Sequence, residues 1–261
     1  MIFADADDNY READFVIFGV PFEDKEMSFR EGASEAPDFI RYSSHNYESY
    51  IMESGVDLRD IKIHDAGNFS LHEAKSFIRR IIEEEKIPVV MGGVHSISPF
   101  LISSINEDLS VVILDAHMDF REEYMGNKFS HACTSRRIFE EVGKDRIISI
   151  GIRSASREEI EDAKKKDFNY VTSLKFKECV PEIKFEKIYL SIDMDVFDPC
   201  YAPGVSNPEP NGLGYEVFDF IKKIAKKVFA IDVVEVSPLY DDGRTSLLAS
   251  KIIRNFISWK T

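Results

Sequence analysis

Short apolar runs rich in valine and isoleucine recur along the chain, at Phe15–Val20, Pro88–Met91, Val111–Leu114, Ile147–Ile150, Ile188–Ile192 and Val228–Val234. Their length and β-branched content predict strands buried on both faces. Between several of them, the segments Leu71–Glu85, Arg157–Lys166 and Tyr215–Lys227 return their apolar residues at three- and four-residue intervals, the period of an amphipathic helix. Strands alternating with helices of this length imply right-handed crossovers, and hence a three-layer α/β/α fold around a mainly parallel central sheet. Ligands bind such sheets beyond the carboxyl ends of the strands. The residues that directly follow each apolar run are therefore the natural site candidates.

No linker, internal repeat or low-complexity tract divides the 261 residues, which are expected to form one domain, 1–261. Hydrophobic residues at 44% and charged residues at 31% give the balance of an ordinary soluble globular chain. A formal charge of −14 excludes nucleic acid as an expected partner and favours a small cationic ligand weakly, since solubility alone accounts for such an excess. The acidic start MIFADADDNYREADF lacks the basic and apolar regions of a secretory signal, and no apolar stretch reaches membrane-spanning length. Cys133, Cys179 and Cys200 are odd in number and widely spaced, which argues against a disulfide framework or a thiolate zinc cluster. A cytoplasmic protein without membrane partners is expected.

The strongest chemical signal is Asp115-Ala116-His117-Met118-Asp119, directly after the run that ends at Leu114. In an extended segment residues two apart share a face, so the two carboxylates and the imidazole are expected to point into one cleft. Asp193-Met194-Asp195 repeats the pattern after the run that ends at Ile192. Either cluster alone reads as strand-end capping or salt bridging. Burying four like charges together is costly without a counter-charge, so the two clusters jointly point to a bound cation. A third element, Gly92-Gly93-Val94-His95-Ser96, follows Val90-Met91 and is expected to turn His95 into the same cleft. Four carboxylates and two imidazoles without cysteine form a hard set that suits Mn²⁺ better than structural zinc. Two ions sharing carboxylates would activate a water, so hydrolysis needs no side-chain nucleophile.

Together these residues resemble the arginase and agmatinase family of ureohydrolases, whose motifs run Gly-Gly-Asp-His-Ser, Asp-Ala-His-x-Asp and Ser-x-Asp-x-Asp-x-x-Asp-Pro. Here they read Gly92-Gly93-Val94-His95-Ser96, Asp115-Ala116-His117-Met118-Asp119 and Ser191-Ile192-Asp193-Met194-Asp195-Val196-Phe197-Asp198-Pro199. The likeness extends from Gly19-Val20-Pro21-Phe22 to Asp232-Val233-Val234-Glu235-Val236-Ser237-Pro238, nearly the whole chain. It implies an arginase-like fold and two Mn²⁺ per subunit. One ion would be held by His95, Asp115, Asp119 and Asp193, the other by Asp115, His117, Asp193 and Asp195. It also implies catalytic roles for His131, Glu235 and Asp119, with His131 protonating the leaving amine and Glu235 facing the guanidinium. A homotrimer or homohexamer follows as an implication of the family.

The segments Ser130-His131-Ala132 and Glu235-Val236-Ser237-Pro238-Leu239-Tyr240-Asp241 look more like agmatinase than arginase, so the expected substrate is agmatine, a small cationic guanidino compound, cleaved to putrescine and urea. The alternatives are aminopropylagmatine, guanidinobutyrate, arginine or formiminoglutamate, with Arg121 and Arg153 the residues whose charge would select the tail. The sequence departs from the family pattern at Val94, where an aspartate is usual, at Ala132, and at Val205-Ser206-Asn207. Val94 also leaves open a catalytically weak metal-binding homologue. Loss of support beside a metal ligand can cost ~10- to 100-fold in affinity or activity.

Overall fold

The expected runs are strands with boundaries within two residues of those anticipated: Phe15–Val20 (β1), Ile87–Gly92 (β5), Ser110–Leu114 (β6), Ile147–Ile152 (β7), Ile188–Asp193 (β9) and Val228–Val234 (β10). The computed structural model describes residues 1–24 and 28–261. Among the described residues, Ile63–Asn68 (β4) and Tyr170–Thr172 (β8) complete a wholly parallel eight-stranded sheet of order β4-β1-β5-β10-β9-β6-β7-β8. These two edge strands carry no apolar run: β4 reads Ile-His-Asp-Ala-Gly-Asn, and β8 is three half-buried residues. A separate antiparallel hairpin pairs Tyr50–Ile51 (β2) with Val56–Asp57 (β3).

The expected helices occur as Leu71–Glu83 (α2), Arg157–Lys165 (α5) and Glu216–Ile224 (α7), the last continuing as a 3-10 turn through Lys227. Both α2 and α5 start on a capping box, Ser70 with Glu73 and Ser156 with Glu159, in which side chains satisfy backbone N–H groups that the first turn leaves without partners. The remaining helices are Ala36–Ser44 (α1), Ile97–Ile102 (α3), Thr134–Val142 (α4), Ser173–Glu178 (α6) and Arg244–Lys260 (α8). Strand residues alternate between faces, as the pleat requires. Ile17, Met91, Leu114, Ile192 and Val233 pack with α1, α6, α7 and α8. Phe18, Val90, Ile113 and Val234 pack with α2, α3, α4 and α5. The sheet is thereby covered on both faces, which gives three layers.

Strands β5 and β6 follow one another in the chain but are separated in the sheet by β10 and β9. The carboxyl ends of β5, β10, β9 and β6 therefore stand side by side at the centre. His95, Glu235, Asp193 and Asp115 lie at or just beyond those four ends, in that order.

Candidate active site

The turn after β5 is shaped by close approach rather than by an unusual φ. A Cβ on Gly93 would lie 1.8 Å from the Phe22 carbonyl oxygen, and one on Gly92 would lie 2.4 Å from Ile97 Cδ1. With those positions open, Gly93 and Val94 donate their N–H groups to Val20 and Phe22 at 2.9 and 3.0 Å, and His95 is carried into the fold with no exposed surface. Val94 is fully buried beside it.

His95 Nδ1 lies 3.2 Å from Asp115 Oδ2, 3.3 Å from Asp193 Oδ2 and 3.5 Å from Asp119 Oδ2. His117 Nδ1 lies 2.8 Å from Asp195 Oδ2 and 3.8 Å from Asp115 Oδ1. All six sequence-selected metal candidates thus converge. The strand alternation expected to bring them together is corrected by the backbone. β6 ends at Leu114 and Asp119 takes a left-handed φ of +50°, so a bend, not an extended ribbon, turns this carboxylate inward. Asp195 likewise sits in the 3-10 turn Met194–Val196 rather than on a continuing strand.

Backbone amides fix one oxygen of three of these carboxylates and leave the other to the cleft. Asp115 Oδ1 accepts from His117 N at 2.6 Å, Asp193 Oδ1 from Asp195 N at 2.9 Å, and Asp195 Oδ1 from Ala116 N at 3.0 Å. Two groups have ligand atoms within 4.8 Å of one another: His95 with Asp115 and Asp119, and Asp115 with His117 and Asp195. Asp115 is common to both. His95 Nδ1 and Asp115 Oδ2 are buried with no hydrogen-bond partner. Buried polar atoms are normally satisfied, so this pair of oriented acceptors fits a cation.

The electrostatics agree. Burial, then repulsion from Asp119 and Asp195, pushes the Asp115 carboxyl up to about 8, and burial with Asp195 and Asp115 raises Asp193 well above the carboxylate range. Burial disfavours the imidazolium of His117, but the adjacent Asp195 outweighs it and drives this histidine up to about 11. Asp195 is held down at about 2 because His117 overcomes its burial. By themselves these side chains meet their charge only by retaining protons. A divalent cation can replace those protons.

A cavity of about 190 Å³ opens over the cluster, lined by His117, Asp119, Asp193 and Asp195 on one side and by His131, Glu235, Arg121 and Glu159 on others. Glu235 takes a left-handed φ of +65° immediately after β10. Its Oε1 accepts from His95 N at 2.6 Å, while Oε2 is buried without a partner. Burial raises the Glu235 carboxyl, opposed first by the nearby His131 and then by the neighbouring Ser206 hydroxyl. His131 starts a 3-10 turn and packs against the edge of Tyr124, with Nδ1 buried and unpartnered. That environment departs from an ordinary satisfied surface histidine. Burial pushes the neighbouring Cys133 thiol up to about 11, away from the thiolate form in which cysteine reacts.

Arg153 corrects the expectation that it selects the substrate tail. Its guanidinium donates to the carbonyls of Asp195, Glu209, Pro210, Gly151, Val196 and Phe197, at 2.6–3.3 Å, and so clamps the turn that carries Asp195. Arg121 does reach the cavity, where its Nη2 lies 3.2 Å from Glu159 Oε2. Glu159 was not singled out from the sequence because it is a capping-box residue, and the fold turns it to this second use. Tyr124 also lines the cavity without any motif to mark it, as does Asn207, which the sequence marks only as part of the departure at Val205-Ser206-Asn207.

A family model described as the arginase family matches residues 13–258. This chain belongs to the arginase family. It is a ureohydrolase of that family, a hydrolase of linear amidine carbon–nitrogen bonds. The agmatinase of Pyrococcus horikoshii is 35% identical over 93% of this chain and 90% of its own length. The N(1)-aminopropylagmatine ureohydrolase of Thermococcus kodakarensis is 33% identical over 93% and 89%. The crystal structure of the agmatine ureohydrolase of Thermoplasma volcanium superposes with a TM-score of 0.94 at 40% identity, covering 99% of this chain and 94% of that one. The wholly parallel sheet agrees with the arginase-like fold expected from the motifs.

Proposed function

We propose that this arginase-family protein hydrolyses agmatine to putrescine and urea at a centre of two Mn²⁺ ions. The observation that carries the proposal is Glu235 Oε2, a buried carboxylate oxygen without a partner, in the same cavity as the His–Asp cluster. A carboxylate suits the planar N–H donors of a guanidinium. The cavity lies below the ~300–1,000 Å³ of drug-sized pockets, which suits a small extended substrate.

In this reading His95, Asp115, Asp119 and Asp193 hold one ion and Asp115, His117, Asp193 and Asp195 the other. When bound, such a pair lowers the pKa of solvent towards neutrality and stabilises negative charge that develops on the substrate. Glu235 orients the guanidinium carbon towards the cluster, a positioning effect of the kind that converts a bimolecular step into an intramolecular one. Asp119, in the cavity wall, would take part in removing the proton of the attacking water. Water adds to the guanidinium carbon, the bond to the tail nitrogen breaks, and His131 delivers a proton to that nitrogen as the amine leaves.

A second reading, with a longer amine or a carboxylate on the tail, is favoured by Arg121 in the cavity wall and by the Thermococcus relative named for N(1)-aminopropylagmatine. The same proposal places the enzyme in the cytoplasm, in polyamine formation, as a homotrimer or homohexamer. Three free cysteines suit a reducing compartment. The test is urea release from agmatine, aminopropylagmatine, guanidinobutyrate and arginine, and formamide release from formiminoglutamate, with Mn²⁺ supplied. Agmatine is expected to give the highest kcat/KM, and absence of urea from agmatine, or ammonia in its place, would sink the proposal.

A further inference from the structure

Asp232 is an acid in the middle of β10, between Ile231 and Val233, and has no exposed surface. An ionised carboxylate in such a place is destabilising unless its oxygens are fully engaged. Tyr189 donates its hydroxyl to Asp232 Oδ2 at 2.7 Å, and Ser191 donates to Oδ1 at 2.6 Å. Both distances are those of charge-assisted O–H···O⁻ bonds. Tyr189 and Ser191 are themselves completely buried, on neighbouring β9. Burial raises the Asp232 carboxyl, opposed first by the nearby His95 and then by the Ser191 and Tyr189 hydroxyls.

Ser191 Oγ also lies 3.0 Å from His95 Nε2. Ser191 has one proton, with Asp232 Oδ1 at 2.6 Å and Ser98 Oγ at 3.3 Å as its acceptors, and the shorter bond to the carboxylate takes it. The serine oxygen can then only accept from His95, which must carry its proton on Nε2. The Nδ1 lone pair is left to face Asp115, Asp193 and Asp119, at 3.2–3.5 Å. We infer that Asp232 is a positioning residue which, acting through Ser191, holds His95 in the tautomer whose Nδ1 binds metal. The chain Asp232–Ser191–His95 lies behind the ligand, on the side away from the cavity, and none of its first two members lines that cavity. The inference rests on the proposed metal reading, and adds to it a reason for a buried acid that no other contact explains.

The arrangement makes the effect of Asp232→Asn specific. An asparagine keeps the Tyr189 bond by accepting through its carbonyl oxygen, and so turns its NH₂ towards Ser191. The serine must accept from it, which frees the serine proton for His95 Nε2 and moves the imidazole proton to Nδ1, where it opposes metal. Ser191→Ala removes the link without reversing it, and Tyr189→Phe removes only the outer bond.

The experiment titrates Mn²⁺ into the chelator-stripped full chain by calorimetry, for the native protein and these three variants, with melting of the stripped forms as a control. The native protein is expected to bind two ions. Asp232→Asn is expected to weaken one of them by ~10- to 100-fold while leaving the other unchanged, with Ser191→Ala weaker in effect and Tyr189→Phe weakest. A merely structural role would lower the melting temperature and weaken both ions alike, and that result overturns the inference. So does native affinity at both sites in Asp232→Asn. Should that variant not fold, Ser191→Ala decides: an unchanged first ion refutes the relay. Failure of the native protein to bind two ions would instead refute the metal reading, so the two failures are distinct.

Discussion

The backbone N–H of His95 donates to Glu235 Oε1 at 2.6 Å, while the backbone N–H of Glu235 donates to the Gly93 carbonyl at 2.8 Å. The turn after β5 and the turn after β10 are thus locked to each other at the point where one supplies a metal-facing imidazole and the other a guanidinium-facing carboxylate. Only Oε2 of Glu235 remains for a ligand. The left-handed backbone at Glu235 costs about 1–3 kcal/mol and persists because both bonds hold it.

Glu235→Gln keeps an acceptor for His95 N but presents no charge to a guanidinium. Hydrogen bonds to charged groups contribute about 1.5–3 kcal/mol, so kcat/KM for agmatine is expected to fall by roughly 10- to 150-fold. Manganese content should not change. Metal analysis beside steady-state urea assays checks both halves, and loss of metal together with activity would reassign Glu235 to the scaffold.

Much of this site was legible because its residues sit where the apolar pattern stops. Asp115 and Asp193 are placed by the ends of β6 and β9, which the continuous apolar runs alone locate. What the pattern could not show is the path after the strand. The left-handed turns at Asp119 and Glu235 have no glycine to announce them, and tertiary hydrogen bonds impose them. Edge strand β4 escaped for a related reason: His64, Asp65 and Asn68 are polar yet pair with β1, and Asp65 is buried against Arg41 at 2.7 Å. Asp232 is the converse case, a polar residue inside an apolar strand whose partners Tyr189 and Ser191 come from a different strand.

The protonation pattern sets a pH dependence for the chelator-treated protein. Asp115, raised to about 8, binds its proton more tightly folded than unfolded, so its contribution to stability declines as pH rises from about 4 to about 8. His117, raised to about 11, stabilises fully below its ordinary pKa near 6.5 and loses that contribution as pH climbs towards 11. Both slopes have one sign. The metal-free melting temperature is therefore expected to fall between pH 6 and pH 9, by about 2–4 °C for each kcal/mol lost. Metal displaces the same protons, so Mn²⁺ affinity should rise over that interval. Calorimetry at several pH values tests this, and a metal-free melting temperature that rises with pH would show that the carboxylates are not protonated there.

Arg153 gives a prediction that separates scaffold from specificity. Its guanidinium serves six carbonyls, including that of Asp195. Arg153→Met leaves several of them without donors, at a cost of about 1–3 kcal/mol for each one that water cannot reach. Chemical denaturation should record a loss of about 3 kcal/mol or more. The ratio of kcat/KM for agmatine to that for guanidinobutyrate should stay as in the native protein, whereas a changed ratio at native stability would return Arg153 to the substrate tail.

Arg121 is the cavity residue whose charge bears on the tail. Glu159, its partner, is buried, and it already accepts from Phe120 N at 3.1 Å and Ser156 N at 2.9 Å. Arg121 by contrast is about a third exposed on its side chain, at 38%, and rests over the Tyr124 ring at 5.6 Å. A cationic tail is repelled by Arg121 and attracted by Glu159, and a carboxylate tail feels the reverse. Arg121→Ala leaves Glu159 unopposed. Solvent screens the arginine, so the change in either direction should be about 1 kcal/mol, or roughly fivefold in KM. KM for agmatine is expected to drop and KM for guanidinobutyrate to rise, with kcat for agmatine little altered because Glu235 and His131 act at the other end of the molecule. Parallel movement of both KM values would mean that Arg121 acts by shape alone, and the charge of the tail pocket would then have to come from elsewhere in the wall.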